Sequence, residues 1–188
     1  MKILKVGIAG FGVVGKRRRD CIDNHPRLQV VAVCDKTFGG EGVLDDKVRN
    51  YQNYHRLLME DLDVLLVCLP NDIASEVTIA GLESGLHVFC EKPPAKNVNE
   101  IKKVLQTSKK FPHIKIKYGF NHRYHSSVKL AKKIIKSKKY GEIINLRCLY
   151  GKSKIIKSKK YGEDNRFTGA KSDWRSNKKL SGGGILLD

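Results

Sequence analysis

The chain has 188 residues, 40% of them hydrophobic and 30% charged, which is enough to bury a core as one domain or as one domain and part of a second. No apolar stretch approaches the ~20 residues of a membrane span, and MKILKVGIAGFG turns glycine-rich where a signal peptide would be cleaved, so it reads as a strand. The net charge of +18, from 37 Lys and Arg against 19 Asp and Glu, raises the question of a nucleic-acid partner, but much of it is lysine on the solvated faces of predicted helices. No aromatic-interleaved basic stripe or recognition helix accompanies that charge, and neither a nucleic acid nor a membrane is expected as a partner.

The first strand is expected over Ile3 to Ala9, followed by the turn GFGVVG and a helix to about Asn24, with His25-Pro26 as its stop. LQVVAVCD, Leu28 to Asp35, is a nearly continuous valine-rich run, as suits a strand covered on both faces. After a glycine-rich loop at Phe38 to Gly42 come a helical stretch near Tyr54 to Met59, a strand over Asp63 to Pro70 and a helix from about Ala74 to Ser84, closed by Gly85. His87 to Pro94 is the next strand. Asn97 with Glu100 three residues on resembles a capping pattern for a helix to Lys109, and Ile114 to Phe120 forms a further strand. The alternation predicts an α/β fold with a Rossmann-type doubly wound parallel sheet over residues 1–120.

Beyond Asn121 the pattern changes to one amphipathic helix, Ser127 to Lys138, and one strand, Glu142 to Tyr150. A polar tail rich in glycine and lysine follows, so residues 121–188 read as the start of an incomplete α+β substrate domain. KIIKSKKYGE occurs at Lys133 to Glu142 and again, letter for letter, at Lys154 to Glu163. Two copies are too few for a solenoid, and the repeat reads as a recent local duplication or a sequence artefact. The five cysteines (Cys21, Cys34, Cys68, Cys90 and Cys148) form no C-x-x-C pair; four lie in apolar runs, where a free thiol behaves as a small hydrophobe, and a reducing cytoplasm is the expected location.

The glycines of GFGVVG stand as G-x-G-x-x-G. A chain that turns tightly, approaches a pyrophosphate without Cβ obstruction and packs its helix on the strand needs glycine at Gly10, Gly12 and Gly15. The whole turn, with Phe11, Val13 and Val14, is then the candidate cradle, because a helix N-terminus favours an anion. Asp35 ends the next strand twenty residues after Gly15, where its carboxylate can accept hydrogen bonds from ribose hydroxyls and repel a 2′-phosphate. NAD is therefore the expected cofactor, with NADP possible because Lys36 stands beside the acid. Glu91 and Lys92 end a strand at the carboxyl edge of the sheet, the side where open α/β sheets bind ligands. No metal site is assigned.

These residues, together with LPN (Leu69 to Asn71), GLHVFCEKP (Gly85 to Pro93), GFNHRYH (Gly119 to His125), DWR (Asp173 to Arg175) and GGGILLD (Gly182 to Asp188), resemble in order the glucose-fructose oxidoreductase/inositol dehydrogenase family, Gfo/Idh/MocA. The resemblance implies a cytoplasmic NAD(P)-dependent oxidoreductase of sugars, cyclitols or their derivatives, homo-oligomeric when whole. It implies cofactor contacts from Leu69, Pro70, Asn71, Glu91, Lys92 and Asn121, and substrate contacts from Arg123, Trp174 and Arg175. Lys92 and Asp188 are the catalytic candidates, and the Lys92-Pro93 bond is expected to be cis. The family pairs the aspartate after the glycines with a histidine four residues on. Asp188 matches the aspartate and is the final residue, so the resemblance implies a chain cut within the catalytic motif and inactive as it stands. Where the family often has a histidine after the proline-asparagine turn, this chain reads DIASE, Asp72 to Glu76. The alternative reading is a non-catalytic module that senses NAD.

Overall fold

The computed structural model describes residues 2–147 and 177–183. They belong to two compact units, Met1–Gly119 with Lys157–Asp188 and Phe120–Ile156, so the units are not consecutive stretches of chain. The first unit is a seven-stranded sheet. Its strands are β1 Leu4–Ala9, β2 Leu28–Cys34, β3 Gly42–Val43, β4 Arg49–Tyr51, β5 Val64–Val67, β6 His87–Cys90 and β7 Ile116–Tyr118. They lie in the order β3-β4-β2-β1-β5-β6-β7, parallel throughout except for the short β3–β4 pair.

Alternation along the strands divides the core between the two faces of the sheet. Val6, Ile8, Val30, Val33 and Leu66 lie on one face with Ile22 of α1 (Val13–Asp23). Ala9, Ala32, Cys34, Leu65, Val67, Val88 and Cys90 lie on the other. There they meet Leu57 of α2 (Tyr54–Leu57), Val77 and Leu82 of α3 (Asn71–Glu83) and Val104 of α4 (Val98–Lys110). Each fully buried Leu or Val of these strands contributes roughly 1.5–3 kcal/mol through removal of apolar surface from water. β2 carries a bulge: Val6 pairs with Val30 and Gly7 with Ala32, so Val31 is an extra residue and the alternation changes sides there. A run as uniformly apolar as LQVVAVC gives no sign of that switch.

Helix α4 begins as its capping pattern predicts, with Asn97 Oδ1 accepting from the Glu100 N–H at 3.0 Å. The Glu100 carboxylate reaches back one residue further, to the Lys96 N–H at 3.0 Å. Helix α3 starts at Asn71, three residues before the expected Ala74, because the Pro70 carbonyl already accepts from the Ile73 and Ala74 N–H groups. The strands expected to run to Pro70 and Pro94 leave the regular ladder at Val67 and Cys90. β3 and β4, which lie between the end of the glycine-rich loop and the helical stretch at Tyr54 and were not expected, are two and three residues long and too short to show a period.

The second unit holds a 3-10 helix, Asn121–Tyr124, and α5, Ser126–Ser137, which ends on Lys138 in the left-handed region at φ 52°. The first KIIKSKKYGE copy supplies the last turn of α5, that left-handed cap and Gly141 at φ 86°. All its described side chains are exposed. The strand expected over Glu142 to Tyr150 is not formed in its described part: residues 142–147 have no regular structure, and Ile144 is fully exposed. A strand needs a neighbour for its N–H and C=O groups, and the described residues of this unit offer none. The second repeat copy lies outside the described residues.

Gly15 tests how tightly α1 is set on the sheet, since a Cβ there would lie 2.0 Å from the Gly10 carbonyl oxygen. Gly15→Ala is expected to cost roughly 3 kcal/mol of stability, read as a lower urea midpoint at constant slope.

Candidate functional site at the carboxyl edge of the sheet

Strand order reverses between β1 and β5: the chain moves from β1 outward through β2 to β4, then crosses back to β5 on the far side of β1. In open α/β sheets the ligand crevice lies at such a switch point, beyond the carboxyl ends of the strands. Two turns meet there, GFGVVG after β1 and Cys68-Leu69-Pro70 after β5. Gly10, at φ 90°, donates its N–H to the Cys34 carbonyl at 2.9 Å, and a Cβ on it would lie 2.5 Å from the Cys68 carbonyl oxygen and 3.1 Å from Leu69. Gly10 and Gly15 are therefore demanded by the protein's own packing.

Gly12 differs. Among the described residues a Cβ there would have nothing within 4 Å, so its absence serves none of them and leaves space open in front of α1. Gly12 is also the N-cap of α1, with no side-chain cap and no acid in the first turn, whereas α4 is capped by Asn97 and has Glu100. The first amides of a helix have no partner within it, so those of Val13 and Val14 are suited to an anion that no side chain replaces. The half-buried Phe11 packs beside Phe38, ring centroids 6.1 Å apart.

Asp35 follows β2 and is held by three donors. Its Oδ2 accepts from the Phe11 N–H at 2.8 Å, and its Oδ1 from the Thr37 N–H at 3.0 Å and hydroxyl at 2.8 Å. Each carboxylate oxygen can accept more than one hydrogen bond, and Oδ2 keeps capacity for a diol at the mouth of the turn. Thr37 is a residue the sequence reading missed; a hydroxyl two residues after an acid is too common a pattern to signal anything.

On β5 and β6 the candidates divide. Asn71 is buried, and its Nδ2 donates to the Ser181 carbonyl at 2.8 Å. Glu91, with its side chain 13% exposed, forms an ion pair with Arg18 of α1, whose Nε donates to Oε1 at 2.5 Å and whose guanidinium lies over Phe89. A Cβ on Gly119 would come within 2.8 Å of Glu91 Oε2, so that glycine makes room for the acid. Arg18, hidden in the run KRRR, was also missed. It braces the turn from which Lys92 projects, exposed and with a cis bond to Pro93. Burial pushes the thiols of Cys34 and Cys90 up to about 11 and that of Cys68 higher still, so the cysteines beneath the turns stay protonated packing groups.

The first unit thus brings together Gly10 to Gly15, Asp35, Leu69 to Asn71, Glu91 and Lys92. Asn121 and Arg123 lie exposed in the 3-10 helix of the second unit. Trp174, Arg175 and Asp188 lie outside the described residues.

A glycine turn between strand and helix, an acid on the next strand and a crevice at the switch point define a dinucleotide-binding α/β protein. The model of the Gfo/Idh/MocA oxidoreductase family, NAD-binding Rossmann fold, matches residues 4–116, and the chain belongs to that family. It is 31% identical over 145 residues to inositol 2-dehydrogenase of Salmonella typhimurium, covering 74% of this chain and 43% of that protein. It is also 31% identical over 196 residues to D-glucoside 3-dehydrogenase of Escherichia coli, covering 98% and 50% respectively. Crystalline myo-inositol 2-dehydrogenase from Lactobacillus plantarum superposes with a TM-score of 0.65 at 28% identity, over 76% of this chain and 44% of that one. The chain spans about half the length of the curated relatives it matches.

The open space at Gly12 and the packed one at Gly15 predict opposite phenotypes. Gly12→Val is expected to leave the melting temperature within a few degrees and to weaken NADH binding at least 100-fold, measured by cofactor fluorescence and thermal melting on the same sample.

Proposed function

We propose that this chain is the nucleotide-binding part of an NAD-dependent dehydrogenase that works in the cytoplasm on a secondary hydroxyl of a cyclitol or sugar. The observation that carries the reading is the contrast within one turn: Gly10 and Gly15 are closed by the protein's own atoms, and Gly12 faces open space at an uncapped helix N-terminus. The residues present fit a dinucleotide. The amides of Val13 and Val14 would hold its pyrophosphate, and Asp35 the ribose hydroxyls of its adenosine half. The names of the relatives, inositol and glucoside dehydrogenases, support a polyol as substrate.

When bound, NAD supplies a hydride acceptor for an alcohol carbon. The chain's contribution is to bind and orient. Lys92 would stand beside the reacting hydroxyl and stabilise negative charge on its oxygen, while Arg18, through Glu91, fixes the turn from which the lysine projects. A module that merely senses the nucleotide needs no braced lysine there. Residues 1–120 form the nucleotide domain in this reading, with Asn121, Arg123, Trp174 and Arg175 assigned to the nicotinamide and substrate pocket and Asp188 to the catalytic pair. The relatives are about twice as long, so the 188 residues alone are expected to bind nucleotide without turning a polyol over.

Asp35 sets the nucleotide preference. A carboxylate at the ribose edge disfavours the 2′-phosphate, so NADH is expected to bind at least about tenfold more tightly than NADPH in a fluorescence titration. Asp35→Ala is expected to erase that difference, and a preference for NADPH in the unaltered chain would refute the reading. In protein that also carries the remaining half, Lys92→Ala is expected to lower kcat by roughly 10²–10⁴ with cofactor affinity kept within a few fold.

A further inference from the structure

The segment 177–183 belongs to the first unit, which the chain leaves after Gly119 and rejoins beyond the second unit. Asn177 caps the short α6, Lys178–Ser181, by accepting from the Lys179 N–H at 3.0 Å, and Gly182 ends it at φ 80°. Two contacts tie this segment down. The Ser181 carbonyl receives Nδ2 of Asn71, 110 residues away in sequence, with the asparagine 2% and the serine 4% exposed. Gly182 lies so close to the backbone that a Cβ on it would be 2.5 Å from the Lys96 carbonyl oxygen and 2.7 Å from the Lys96 Cα.

Both anchor points belong to the edges of the nucleotide site. Asn71 is the first residue of α3 and the last of the Leu69-Pro70-Asn71 turn. Lys96 follows the Glu91-to-Pro94 turn and is itself held, its N–H donating to Glu100, whose carboxylate also accepts from Ser75 of α3 at 3.3 Å. The segment therefore touches both the turn that leaves β5 and the chain that follows the turn after β6. With the segment in place Nδ2 of Asn71 is shielded from water and bonded to the Ser181 carbonyl; loss of the segment exchanges that fixed partner for mobile water and removes the tether on the turn that precedes it.

We propose that residues 177–183 are a positioning strap for the nucleotide site, latched by Asn71 to Ser181 and by Gly182 to Lys96, that keeps the Leu69–Asn71 and Glu91–Pro94 turns at one spacing. The strap rests on the dinucleotide reading given above. It assigns Asn71 to work through the strap rather than on the cofactor alone, and it explains a glycine at position 182: the left-handed φ and the close approach to Lys96 exclude any side chain.

The test is NADH titration of the whole 188-residue chain and of four variants, Gly182→Ala, Asn71→Ala, Ser181→Ala and the double Asn71→Ala/Gly182→Ala. Each of the first two is expected to weaken NADH binding about tenfold, the double variant no more than the weaker-binding single, because both changes release one strap. Ser181→Ala keeps the backbone carbonyl that Asn71 reaches but loses the hydroxyl's bond to the Gly183 carbonyl at 2.7 Å, so it is expected to weaken binding less than either latch variant, and a loss as large as that of Asn71→Ala counts against the latch. NADH affinity unchanged in Gly182→Ala, or a double variant whose loss equals the product of the singles, overturns the strap, the latter outcome assigning Asn71 to the nucleotide directly. Failure of the unaltered chain to bind NADH overturns the cofactor reading and the strap with it. Should Gly182→Ala not fold, hydrogen exchange decides: amides 179–182 are expected to lose protection in Asn71→Ala, and retained protection refutes the latch.

Discussion

The carbonyl oxygen of Cys68 sits where a Cβ on Gly10 would have to be. That approach of two backbones, one leaving β1 and the other leaving β5, joins the strands at the point where the winding of the sheet reverses. From it α1 turns to one face and α3 to the other, with their N-termini at the same edge. The second approach, Gly15 against the Gly10 carbonyl, sets α1 down on β1. The crevice between the turns exists because the chain is pinned below it by backbone contacts that tolerate no side chain, leaving the amides above to face outward.

Around that crevice the charged groups are spent on holding one another. Asp35 is locked by Phe11 and Thr37, so its carboxylate is fixed before a ligand arrives. Glu91 is shielded from water by Arg18, the Phe89 ring and the space that Gly119 leaves. A half-buried acid with its own cation is worth less in stability than in placement, because desolvation offsets most of the attraction between the partners. What the pair secures is the direction in which the chain leaves β6 toward Lys92.

Some of this was legible without coordinates, and specific residues show why. The G-x-G-x-x-G turn, the acid at position 35 and the Asn97–Glu100 cap are local: each requirement is met by residues a fixed number of positions apart, within one turn or one strand-helix unit. The amphipathic α5 was readable for the same reason, although its apolar residues Leu130, Ile134 and Ile135 remain exposed. Arg18, Thr37 and the bulge at Val31 were not legible. Four successive basic residues in KRRR, a threonine after Asp-Lys and a valine among valines carry no local signal. The described part of the strand expected from Glu142, residues 142–147, did not form for a related reason, since its apolar run specified a willingness to pair but could not supply the neighbour.

The sequence by itself determined the alternation of strands and helices, the family, and the place of the glycine turn between β1 and α1, because periodicity and glycine spacing act over a few residues at a time. Only the tertiary structure decided which glycine of the turn faces open space and which faces the protein's own backbone, which helix residue braces the turn before Lys92, and where the chain at position 181 comes to rest. Those outcomes depend on atoms brought within 3 Å from positions 73 and 110 residues apart, Arg18 with Glu91 and Asn71 with Ser181, and on the close approach of Gly10 to the Cys68 carbonyl. Distances of that kind are set by the packing of the whole sheet and are written in no single stretch of the chain.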